Sequence, residues 1–95
     1  MGARLLLDER HIVADDAFVE LRVWQVPAPV RASFHGYKYS LAYVVQGVCV
    51  LRYDNEAGKG DHRHLGDREE PYRFTTPAAL LRDFWADVDA WRLKP

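Results

Sequence analysis

The stretch YKYSLAYVVQGVCVLRYD, residues 37 to 54, restricts the fold more than any other part of the chain. Tyr37, Tyr39, Leu41, Tyr43 and Val45 take alternate positions, the two-residue period of a strand with one buried face. Gln46-Gly47 then reverses the chain in a tight turn. VCVLRYD, 48 to 54, follows as the next strand. Strands joined by so short a turn pair antiparallel, so the scaffold is an antiparallel sheet.

The flanking sequence extends the same pattern. RLLLDERHIV, 4 to 13, reads as a first strand, and ADDA at 14 to 17 as a turn. Val19, Leu21 and Val23 then alternate with Glu20 and Arg22, which makes a second strand hairpinned to the first. Pro27 and Pro29 lack amide donors and open a loop of about ten residues through RASFHG. After the glycine-rich segment 58 to 60, DHRHLG reads as a short extended piece, and a further short strand is expected around Tyr72 to Phe74. Thr76 is the expected cap of a helix with Pro77 at its first position. Leu80, Leu81, Phe84, Trp85, Val88 and Trp91 recur at helical spacing to about residue 92, while Arg82, Asp83, Asp87 and Asp89 are expected to face away. The fold class is α+β: a meander of four to five antiparallel strands, with one C-terminal helix packed on one face. The other face is left to bind a partner or a second copy of the chain.

Ninety-five residues with 48% apolar and 28% charged side chains suit one globular domain, 1–95. A net charge of −1 provides no global basic field, so any nucleic-acid contact needs a local patch. Cys49 is the only cysteine; it excludes a disulfide framework or a cysteine zinc site and is expected to be buried and inert. No apolar run approaches the roughly 18 residues of a membrane span, and the N-terminus lacks the apolar core of a signal peptide. The cytoplasm is the expected location.

The local patch is RYDNEAGKGDHRHLG, residues 52 to 66. In extended backbone His62 and His64 share one face, roughly 6 to 7 Å apart, with Arg63 opposite. Two imidazoles that titrate near neutrality suit proton removal from a 2′-hydroxyl and protonation of the leaving oxygen, in either order. Lys59 and glycine-loop amides are placed to stabilise phosphate charge, and Arg63 joins them only if the strand is irregular. The loop is not a Walker loop: Tyr53 stands where glycine is required, and Gly60 where Ser or Thr is. Lys38 and Tyr37 on the neighbouring strand can add a cation and a stacking ring, and Asp54 and Asn55 adjoin the site. A zinc reading with His62, His64 and either Asp61 or His35 has weaker support from spacing alone, so no metal and no cofactor are expected. The plain alternative is a solvated polar turn. Trp24 is expected on the polar face of its strand, Trp85 and Trp91 in the core, and His11 is expected to be structural.

VWQVP, HGYKYSLAYV, RYDNEAGKGDHRH, EEPYRF and LLRDFWADV, in this order, resemble the TumE family of toxin-antitoxin proteins, from about Leu5 to Arg92. The resemblance implies a toxin made beside a cognate antitoxin that neutralises it by direct binding. No catalytic assignment comes with it. By analogy with many small toxins, the expected activity is metal-independent RNA cleavage by His62, His64, Lys59 and Arg63, with Lys38, Tyr37, Asp54 and Asn55 on the substrate. The alternative is a non-catalytic module that binds RNA or protein.

Overall fold

The computed structural model describes residues 2–94. Six strands, β1 (Arg4–Ala14), β2 (Ala17–Gln25), β3 (Tyr37–Val45), β4 (Val48–Glu56), β5 (Gly60–Leu65) and β6 (Arg68–Pro71), form one sheet in chain order. Each pairs antiparallel with the next. The single helix α1 (Pro77–Arg92) follows. The architecture is the expected α+β meander, with six strands instead of four to five.

The additional strand is β6, and it lies earlier than Tyr72–Phe74. Gly66, at φ 64°, and Asp67 form a two-residue reversal that pairs Leu65 with Arg68. Pro71 has no amide to donate and closes this edge strand. Tyr72 and Phe74 therefore leave the sheet and pack beside it: Tyr72 sits 5.0 Å from Tyr53 between ring centroids, and Phe74 stacks on His35 at 3.7 Å. The Gln46-Gly47 reversal has φ of 50° and 78°, the left-handed pair that matches strand twist.

Register decides which side chains meet. Leu21 pairs with Leu41, Leu41 with Tyr53, and Tyr53 with Arg63, so odd-numbered residues of β2 to β5 share the helix-covered face, except Cys49, which a register shift at the start of β4 puts on the other. Val19, Leu21, Val23, Tyr39, Leu41, Tyr43, Leu51 and Tyr53 form the sheet side of the core, and Leu80, Phe84 and Val88 the helix side. Leu81, Trp85 and Trp91 are partly buried against them. Thr76 Oγ1 accepts the Ala79 amide at 3.1 Å, a cap worth about 1 kcal/mol.

Two helix residues expected in solvent are half-buried instead. Asp87 receives Arg63 Nη1 at 2.9 Å and the Tyr53 hydroxyl, and Asp83 receives the Tyr72 hydroxyl at 2.7 Å. They line the margin where the helix crosses β4 and β5, so the apolar stripe is bordered by a polar seam. The loop from 26 to 36 folds over the β4–β5 turn: Gly58 donates its amide to the Arg31 carbonyl at 2.9 Å, and Ser33 is buried. No helix of the described residues is long and apolar enough to cross a membrane.

Candidate functional site

The same register that fills the core assembles a polar row on the helix-free face. Arg22, Ser40, Asp54 and His62 lie side by side on adjacent strands, and Arg52, His64 and Glu69 lie on the next row. The His62 and His64 rings are 5.1 Å apart between centroids and nearly perpendicular. Alternation is enough to explain why they share a face.

Their surroundings differ. His62 is 5% exposed and Asp54 7%. His62 Nδ1 lies 2.9 Å from the Gly60 carbonyl oxygen, and its Nε2 lies 2.6 Å from Asp54 Oδ1. That last contact is close but not aligned as a hydrogen bond, so both buried atoms lack a directed partner. His64 is about one-third exposed, with Nε2 3.0 Å from Glu69 Oε2. Lys59 Nζ approaches the same carboxylate oxygen at 3.6 Å.

A cleft of about 330 Å³ opens over this group, lined by Cys49, Arg52, Asp54, Glu56, Lys59, His64 and Gly66. Arg52 and Lys59 supply positive charge, and Asp54 and Glu56 offset it. The site is therefore mixed in charge and not uniformly basic, and it sits one strand inside the edge formed by β6. Cys49 is exposed in it, contrary to the expectation of burial.

The structure brings His62, His64, Lys59 and Asp54 together and separates the other residues expected beside them. Arg63 is on the opposite face, bound to Glu70, Asp87 and Tyr53. Burial opposes its charge, but the hydrogen bonds to Tyr53 and Glu70 outweigh it and raise its pKa above the ordinary guanidinium value. Asn55 also faces the helix side: its Oδ1 accepts the Tyr39 amide, and its Nδ2 donates to the Tyr37 carbonyl and to Ser33 Oγ. Tyr37 packs on His35 and Phe74 on that same side. Lys38 is exposed on the helix-free face opposite Trp24, outside the cleft lining. Two of the glycine-loop amides are already spent, Gly58 on Arg31 and Lys59 on Glu56, so they are not donors for a phosphate.

Arg52 and Glu69 are the residues that sequence reasoning missed. Arg52 shares parity with Asp54 on β4, but only the pairing of Arg52 with His64 reveals its place. Glu69 depends on β6, which was expected elsewhere.

His35 and Asp61, weighed as third zinc ligands, form a separate cluster through the sheet. Asp61 Oδ1 receives His35 Nε2 at 2.8 Å, the Tyr39 hydroxyl at 2.9 Å and Ser33 Oγ at 3.3 Å. Burial, and then the hydrogen bond to Asp61, push the Tyr39 phenol far above its ordinary value. Three donors on one oxygen tie down the 26–36 loop. His11 is exposed, bonded to Glu9 at 2.7 Å and edge-on to Trp85.

Among known families, the one described as Toxin TumE matches residues 2–92 of the 95. Comparison with curated proteins and with solved structures finds no match.

Proposed function

The chain belongs to the TumE family of toxins, and we propose that it acts by cleaving RNA in the cleft between β4 and β5. The family implies a cognate antitoxin as partner. The observation that carries the RNA reading is the convergence of Asp54, His62 and His64 beside two cations, Arg52 and Lys59, with all but the buried His62 lining one open cleft. Cations draw in the phosphate backbone, while imidazole and carboxylate groups perform phosphodiester chemistry at neutral pH.

The roles divide by access. His64 opens on the cleft and meets the substrate first. Asp54 lines the cleft beside it, and the buried His62 lies behind them. Arg52, not Arg63, is the arginine placed to hold phosphate, with Lys59 beside it. A phosphate entering the cleft takes the place that Glu69 now holds beside Lys59 and His64.

Glu69 also favours a second reading. Because it pairs with both Lys59 and His64, the cleft can serve as a docking surface for RNA without cutting it. The purified chain, incubated with a mixed-sequence RNA, separates the two. Cleavage by the wild type, lost in His64→Ala, supports the nuclease. RNA that is bound and left intact, with divalent ions supplied, leaves the binding module.

A further inference from the structure

We propose that Asp54, His62 and His64 form a binding site for a single divalent transition-metal ion of the zinc type. One nitrogen or oxygen from each of the three residues lies within 4.8 Å of the others. Two of these residues are more than nine-tenths buried.

The protonation pattern argues for a cation. A carbonyl oxygen only accepts, so the 2.9 Å contact with Gly60 places the His62 proton on Nδ1. When the ring is neutral it then presents a bare lone pair at Nε2, 2.6 Å from a carboxylate oxygen. Two electron-rich atoms in a buried site repel unless something positive joins them. A proton does so only along an aligned bond, and the bond here is not aligned. An ion that accepts both lone pairs resolves the contact. Donation of the far ring N–H to a backbone carbonyl is also how proteins orient a metal-binding histidine. His64 has the matching support, with Glu69 on its Nε2.

The donor set selects the ion. Magnesium and calcium require oxygen ligands, whereas two imidazoles and one carboxylate suit zinc. Zinc bonds of about 2.0 to 2.2 Å in a tetrahedron put ligand atoms about 3.3 Å apart. The Asp54–His62 contact opens by several tenths of an ångström to reach this, and the partly exposed His64 swings inward. Three protein ligands leave a fourth position, which faces the cleft of Arg52 and Lys59. For its chemistry the proposal rests on the RNA reading: the ion would polarise a phosphate oxygen there. Metal binding itself does not depend on that reading.

The test uses full-length protein prepared without an affinity tag, stripped with chelator and titrated calorimetrically with zinc chloride. Cobalt absorption reports the coordination geometry. One ion per chain is expected, with the visible bands of four-coordinate cobalt. Asp54→Asn and His64→Ala, each checked for fold by circular dichroism, should weaken binding by about 100-fold or more. His11→Ala should leave it unchanged. No saturable binding by the folded wild type overturns the proposal, and so does full affinity in both site variants. If either variant fails to fold, the wild-type stoichiometry and cobalt spectrum still decide. Metal binding without RNA cleavage sinks only the nuclease reading. Cleavage that persists in chelator by protein that binds no metal sinks only the metal site.

Discussion

Asn55 Oδ1 accepts the backbone amide of Tyr39 at 3.0 Å across the sheet. The residue is fully buried, and its Nδ2 donates to the Tyr37 carbonyl at 2.8 Å. It thus completes the ladder where β3 begins and β4 ends. Asn55→Ala leaves a buried donor and acceptor without partners, at a cost of roughly 2 to 4 kcal/mol. Urea unfolding should show a lower midpoint at an unchanged slope. A midpoint equal to that of the wild type would show that water replaces the amide.

Gly60 and Gly58 are both left-handed, at φ 73° and 87°, but they should not respond alike to alanine. A Cβ on Gly60 would lie 2.7 Å from the Ala32 carbonyl oxygen, whereas on Gly58 it would meet the tip of the Arg31 side chain at 2.8 Å. The guanidinium can rotate away, but the backbone carbonyl cannot. Gly58→Ala should cost the left-handed penalty of about 1 to 2 kcal/mol, and Gly60→Ala clearly more. Thermal melts of the two variants check the order, and equal losses would mean that the 26–36 loop gives way freely.

Tyr39, Tyr53 and Tyr72 all hold their protons above the ordinary tyrosine value near 10, first through burial and then through hydrogen bonds to Asp61, Asp87 and Asp83 respectively. Unfolded, they ionise near pH 10; folded, they ionise only at higher pH. Their contribution is complete below pH 10 and is lost as pH rises beyond it. Tyrosinate absorbance from these three should therefore appear together with loss of the circular dichroism signal. Ionisation of all five tyrosines of the chain before unfolding would contradict this.

Arg52 and Lys59 line the cleft, whereas Arg10 sits four strands from His64 on β1, paired with Glu20. Arg52→Ala and Lys59→Ala each remove one charge and should each flatten the slope of log affinity against log salt for RNA binding by about 0.7, the single-strand value. Arg10→Ala should leave the slope as it is. Equal slopes in all three variants would move the RNA surface away from the cleft.

Local sequence determined the elements other than β6. Alternation marked β2 and β3, the Gln46-Gly47 turn tied β3 to β4, and Thr76-Pro77 with the Leu80, Phe84 and Val88 stripe marked the helix. These are short-range properties, set by backbone sterics and by side-chain period, so they can be read from neighbours in the chain. Alternation likewise put His62 and His64 on one face and Arg63 on the other. Pairing between strands decided the rest. Arg52 beside His64, Asp54 beside His62 and Glu69 across from His64 follow from hydrogen-bond register, which no single strand encodes. Asn55 read as a site residue and Asp61 only as an alternative third zinc ligand, yet both point through the sheet to anchor Tyr39 and the 26–36 loop. A one-residue step along a strand reverses the face a side chain serves, and only the assembled sheet settles which face carries the core and which the cleft.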